Sequence, residues 1–278
     1  MKPVDFAYHR ATSVADASEA LVRHGHDAKV LAGGQSLIPA LNMRLLSPTV
    51  LVDINHVGGL DGIEVRDDVV RVGALVRHEH AERSEAVAAA CPLLVEALRD
   101  VAHAPIRSRG TIVGSLAHAD PAAELPAVLA LLDGTVTAFG PDGERQIAAA
   151  DFFVGYFETA LRPGELATAA SFRRARDGER TAFVEMARRH GDFALCAVAA
   201  VVTDTTARVA LAGVDSVPRV FDVSGLVNGE AEAALDALTE GIDPQPDVHA
   251  SADYRRHLAR ELTRRAVARA AGDTSEGG

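Results

Sequence analysis

Hydrophobic positions fall along this chain in short blocks that alternate between strand-like and helix-like spacing. Phe6 and Tyr8 mark a short strand, and Thr12-Ser13 with Asp16 is a capping signature for a helix from Val14 to His24 that Gly25 stops. An apolar strand from Val30 to Ala32 runs into Gly33-Gly34, and helical spacing resumes after Ser36 at Leu37, Ile38 and Leu41. Pro48 and an apolar strand from Val50 to Ile54 follow, so the opening is α/β, and Gly58-Gly59 marks a loop suited to a subdomain boundary. Gly62 to Val65 and Val69 to Val72 alternate around Asp67-Asp68 as a hairpin. His78 to Ala90 and Leu93 to Val101 carry helical spacing, broken at Cys91-Pro92.

From Arg107 the regular pattern lapses. The spacing predicts an irregular, small-residue segment with Gly110, Thr111, Gly114 and Ser115, then an apolar helix opened by Asp120-Pro121 and running to Leu132. Pro141-Asp142-Gly143 reads as the turn between strands Thr135 to Phe139 and Arg145 to Ala148, and Asp151 as the cap of a helical turn before Gly155. Phe183 to Ala187, Ala194 to Val202 and Arg208 to Ala212 read as a small antiparallel sheet. A last helix, Tyr254 to Ala271, sets Tyr254, Leu258 and Leu262 in an apolar stripe among arginines, and the tail from Gly272 is expected to be disordered.

Composition narrows the partners. With 278 residues and 48% hydrophobic content the chain can support two cores, and a net charge of -11 argues against nucleic acid or an anionic membrane. The two cysteines, Cys91 and Cys196, are too few for an iron–sulfur centre, which takes about four thiolates. No apolar leader opens the sequence and no stretch approaches the ~18 apolar residues of a membrane span, so a cytoplasmic location is expected.

Candidate chemistry sits in two glycine-rich segments. In Lys29 to Leu37, glycines at a strand-to-helix turn let successive amides approach one anion, with Ser36 adding a hydroxyl; the same pattern also serves as a plain turn. In Arg107 to Glu124, small residues and hydroxyls suit a long polar ligand, with Asp120 and Glu124 to accept from its hydroxyls; a loop with an Asp cap is the other reading. His78 and His80 point to different helix faces and lack further ligands, so no metal site is assigned. Arg188 and Arg189 beside Asp192 read as a structural or interface ion-pair site rather than a nucleic-acid patch. There is no GxGxxG after a strand and no P-loop.

Four ordered motifs carry a family resemblance: Ala-Gly-Gly-Gln-Ser-Leu at 32 to 37, Arg-x-Arg-Gly-Thr-Ile-x-Gly at 107 to 114, Ala-His-Ala-Asp-Pro-Ala-Ala-Glu at 117 to 124, and Arg-Arg-His-Gly-Asp-Phe-Ala-Leu at 188 to 195. Over essentially its whole length the chain resembles the FAD-binding medium subunit of molybdenum hydroxylases, of the carbon monoxide dehydrogenase and xanthine dehydrogenase type. The resemblance implies an α+β fold of the vanillyl-alcohol-oxidase (PCMH) type over 1–175, with subdomains of about 1–57 and 58–175. It also implies a C-terminal α+β domain over 176–271. FAD contacts are implied at Lys29, Leu31, Ala32, Gly33, Gly34, Gln35, Ser36, Leu37, Thr111, Gly114, Ser115, Ala117, His118, Asp120, Glu124, Leu166, Arg188 and Asp192. The family commonly reads Thr-Ile-Gly-Gly-Asn where this chain has Thr111-Ile112-Val113-Gly114-Ser115, so Val113 is expected to restrict φ where glycine is usual and Ser115 to lose an amide's reach.

The implied function is electron transfer. A large subunit with a molybdenum pterin would oxidise the substrate, a small subunit with [2Fe-2S] clusters would relay electrons, and FAD on this chain would pass them to a terminal acceptor, in a dimer of heterotrimers. No catalytic side chain is assigned. The alternatives are a self-sufficient FAD-dependent oxidase and a non-catalytic nucleotide-binding module.

Overall fold

The computed structural model describes residues 2–272. The expectation for the tail falls on residues 273–278, outside that range; Gly272, at φ +86°, ends the last helix. The chain opens with a three-stranded parallel sheet of β1 (Ala7–Arg10), β2 (Ala28–Leu31) and β3 (Val50–Asp53), ordered β1-β3-β2. Ser13 caps the intervening helix Val14–His24 by accepting from the Asp16 amide at 3.0 Å. Every residue of β3 is buried, as expected of a central strand covered on both faces.

A second sheet is antiparallel. It comprises β4 (Ile63–Val65), β5 (Val69–Gly73), β6 (Thr135–Gly140), β7 (Gly143–Ala148) and, from further along the chain, β10 (Leu166–Arg173), in the order β4-β5-β10-β6-β7. A small hairpin of β8 (Phe153–Gly155) and β9 (Glu158–Thr159) precedes β10. Asp151 lies inside the helical turn Ala149–Phe152 rather than capping it, because Ala148 takes the capping position. The third sheet is a meander of β11 (Arg180–Ala187), β12 (Ala194–Val202), β13 (Ala207–Ala212) and β14 (Arg219–Asp222). The last strand has no counterpart in the sequence reading, since Arg219–Asp222 is a short polar edge with two apolar positions.

All nine residues of β12 are buried, and the period of two explains why. Cys196, Val198, Ala200 and Val202 pack into the core under the helix Ala252–Ala271, while Ala197, Ala199 and Val201 join the core of the first two sheets. Of the expected stripe on that helix Leu258 and Leu262 are buried, but Tyr254 is 44% exposed in its first turn.

The segment after Arg107 departs most from expectation. Ile112–His118 is a helix, because Thr111 is extended and its hydroxyl accepts the Gly114 amide at 3.1 Å, while Ile112, Val113 and Leu116 supply a buried stripe. The apolar helix begins at Glu124 and ends at Leu131, leaving Asp120-Pro121 in a turn where the Asp120 carboxylate accepts the Ala122 amide at 2.9 Å.

Candidate cofactor cradle

The first glycine segment leaves β2 at its carboxyl end. Gly34 sits at φ +72°, a conformation that favours glycine, and a side chain there would meet Leu31 and Ile38. At Gly33 the constraint is backbone approach: a Cβ would lie 2.5 Å from the Arg109 carbonyl oxygen, 2.8 Å from Gly110 Cα and 3.1 Å from the Thr111 nitrogen. The two glycine-rich segments therefore touch main chain to main chain. None of the N–H groups of Gly33, Gly34, Gln35 and Ser36 donates to a described residue, and the Ser36 hydroxyl caps nothing. Backbone donors are rarely left unused, so four in succession mark a place for an external acceptor.

The carbonyls of the same peptides are occupied. The Asn55 side-chain amide donates to the Ala32 carbonyl at 2.9 Å, the Gln35 side chain to that of Gly33 at 2.9 Å, and the Ile38 N–H to that of Gly34 at 2.9 Å. In the second segment, the His78 N–H donates to the Gly110 carbonyl at 3.0 Å and the Ile112 N–H to the Val76 carbonyl at 3.2 Å. In this isolated antiparallel bridge Arg77 and Thr111 form the non-hydrogen-bonded pair, so the Thr111 N–H points away from the Arg77 backbone, and it too has no acceptor among the described residues. The Arg77 guanidinium spans the gap, donating to the Arg109 carbonyl and, at 2.7 Å, to the Asn55 side-chain oxygen. Asn55 and Arg77 were not marked from the sequence, because an Asn after a strand and an Arg before a helix carry no signal until the two segments are seen together.

Of the expected site residues, Ala32 to Gln35 and Thr111 converge here, with Leu37 half-buried and Ser36 exposed just beyond, and Leu31 half-buried and Lys29 exposed on β2. The Thr111 hydroxyl and the space at Gly114 are spent on the helix cap, since a Cβ at Gly114 would meet that hydroxyl at 2.5 Å. Val113 occupies the helix at 2% exposure, outside the residues with positive φ, so its backbone has no need of glycine; this corrects the expectation drawn from the motif. Ser115 is half-buried and Ala117 exposed. Leu166 is a core residue of β10 at 4% exposure, opposite Phe139.

Further along, the His118 ring packs against that of Phe157 with centroids 5.1 Å apart and planes tilted by 46°, and the Phe157 N–H donates to the Ala119 carbonyl. Both Ala119 and Phe157 hold positive φ, so backbone strain collects beside this end of the site. Burial raises the Asp120 carboxyl and lifts that of Glu124 to about 7. Glu185 on β11 rises to about 8, through burial first and then the nearby Glu124 and Asp100. Arg188 and Asp192 form an exposed pair at 3.5 Å, and the turn between them reaches the second segment's approach, where Gly191 packs against the His103 ring. His78, 5% exposed behind Gly110 and with neither ring nitrogen hydrogen-bonded among the described residues, is held neutral by burial down to about 4.

The profile of the FAD binding domain in molybdopterin dehydrogenase matches residues 4–172, and that of the CO dehydrogenase flavoprotein C-terminal domain matches 181–270. The chain belongs to the family of FAD-binding medium subunits of molybdenum hydroxylases. It is 42% identical to the 6-hydroxypseudooxynicotine dehydrogenase complex subunit alpha of Paenarthrobacter nicotinovorans, over 97% of this chain and 96% of that protein. It is 38% identical to the nicotine 6-hydroxylase medium subunit of the same species, over 99% and 100%. A chain of reconstituted CO dehydrogenase from Oligotropha carboxidovorans superposes with a TM-score of 0.91 at 35% identity, covering 99% of this chain and 100% of that one. Among the described residues no helix is long and apolar enough to cross a membrane.

Proposed function

We propose that this chain holds FAD between its two glycine-rich segments and serves as the electron-relaying subunit of a cytoplasmic molybdenum hydroxylase built as a dimer of heterotrimers. The large subunit carries the molybdenum pterin and oxidises the substrate; the small subunit carries [2Fe-2S] clusters and delivers electrons to this one. Residues 1–175 form the cofactor domain, divided near residue 57, and 176–271 a second domain. The observation that carries the reading is the donor set: the unpartnered amides of Gly33 to Ser36, with that of Thr111 across a main-chain contact, fit a diphosphate. Asp120 and Glu124, at the far end of the second segment, serve as acceptors for ligand hydroxyls, and burial keeps Glu124 able to hold a proton near neutrality. When bound, the flavin supplies the step between one-electron carriers and a two-electron acceptor. The chain's part is to bind and orient it. The test is anaerobic: organic substrates added to the flavin-loaded chain alone are expected to leave flavin absorbance unchanged, and to bleach it in the three-subunit complex. Rapid bleaching in the isolated chain would refute the relay.

A further inference from the structure

We infer that Arg77 and Asn55 are positioning residues that hold the two glycine-rich segments as one pre-formed anion receptor. The inference rests on the FAD reading of this site and adds residues that none of its four motifs contains. Its physical basis is the peptide plane: a carbonyl and the next residue's N–H share one rigid unit, so tying the carbonyl aims the amide. The Gly33 N–H is aimed because Asn55 holds the Ala32 carbonyl at 2.9 Å, and the Thr111 N–H because the His78 N–H holds the Gly110 carbonyl at 3.0 Å. These two ties belong to different parts of the chain. Arg77, next to His78, joins them by gripping the Arg109 carbonyl with one arm and the Asn55 oxygen with the other, at 2.7 Å.

Asn55 is itself fixed. Its N–H and side-chain amide donate to one Asp53 carboxylate oxygen at 2.8 and 2.7 Å, and the Tyr8 hydroxyl donates to the other. Asp53 is 6% exposed; burial opposes its ionisation, but these hydrogen bonds hold its carboxyl below the ordinary range. Arg77 has no carboxylate within ion-pair distance among the described residues and is half-buried. Its fork is therefore committed to two neutral oxygens, a geometry that a lysine's single ammonium cannot reproduce.

The experiment titrates FAD, and separately ADP as a diphosphate probe, into the full-length chain stripped of flavin. Arg77→Met and Asn55→Ala are each expected to weaken both ligands by about tenfold to a hundredfold, the loss that follows from a broken charge-assisted or buried hydrogen bond. Arg77→Lys is expected to stay within about threefold of Arg77→Met, and the double variant within about threefold of the worse single variant, since both residues act through one clamp. Melting of the ligand-free variants separates this from general destabilisation: the increase in Tm given by FAD should shrink even where the ligand-free Tm is kept. Should Arg77→Met not fold, Arg77→Lys and Asn55→Ala still decide. Full rescue by lysine would show that charge alone matters, additive losses would show independent roles, and wild-type affinity in Asn55→Ala would remove the clamp; each overturns the inference. If the parent chain binds neither FAD nor ADP, the FAD reading itself fails and the clamp with it; if it binds both and only the clamp variants are silent, the FAD reading stands alone.

Discussion

The two glycine-rich segments look alike in sequence and differ in what their glycines do. At 33 to 36 four amides have no partner among the described residues, Gly34 needs its positive φ, and Gly33 is small because another backbone lies against it. At 110 to 115 the pattern belongs to a capped helix: Thr111 caps it, Gly114 leaves room for the capping hydroxyl, and Ile112 and Val113 are buried like any helical core residues. One segment presents donors; the other mainly supplies a rigid wall. A run of glycines and hydroxyls therefore has two physical meanings, and hydrogen-bond accounting separates them.

Breaking the contact between the segments should have the largest effect. Gly33→Val places a branched side chain 2.5 Å from the Arg109 carbonyl, where no flexible neighbour can give way, and should cut flavin content to near zero with about 1–3 kcal/mol lost from stability. Equal flavin per chain by absorbance would separate the glycine contact from cofactor binding. Val113→Gly should destabilise by about 2–4 kcal/mol, combining a core cavity with glycine's poor helix propensity, while leaving FAD affinity of the folded protein little changed. Tighter flavin binding with an unchanged Tm would restore the motif-based expectation for this position.

Acid should loosen the second wall next. His78 titrates near 4 when folded and near 6.5 when unfolded, so the unfolded chain binds the extra proton between these values. Stability from this group is complete above about pH 6.5 and declines toward pH 4, by about 2–3 kcal/mol at the low end. His78→Phe, of similar bulk without a basic nitrogen, should flatten that part of a Tm–pH profile; an unaltered slope would assign acid sensitivity to other groups. Thr111→Ala should have the smallest effect, about 1 kcal/mol for a lost cap, recovered by Thr111→Ser.

Much of the architecture was legible because local signals agreed with the fold. Ser13 and Gly25 bound the first helix as read, Pro141-Asp142-Gly143 made its hairpin, and the unbroken apolar run Ala194 to Val202 became a strand buried on both faces. The helix Ile112–His118 was hidden because Gly114 and Ser115 lower its propensity, while its stability comes from a cap and a buried stripe. Asp120-Pro121 has the composition of a helix start, yet the Asp120 side chain closes a turn and delays the helix to Glu124. The first glycine loop could be read in sequence as a ligand turn, but its neighbours Asn55 and Arg77, lying 22 and 44 residues beyond Gly33, became visible only through tertiary contact.

The most direct measurement is amide hydrogen exchange of the flavin-free chain with and without FAD, followed on peptides covering Gly33 to Ser36 and Thr111. These amides have no acceptor among the described residues, so they should exchange rapidly without cofactor and slow by at least about tenfold when a diphosphate accepts from them. The helix Ala252–Ala271, remote in sequence and already hydrogen-bonded, serves as the internal reference and should change far less. Protection of residues 33 to 36 and 111 by FAD is the predicted result; saturating FAD that leaves their exchange as fast as in the free chain would contradict the account.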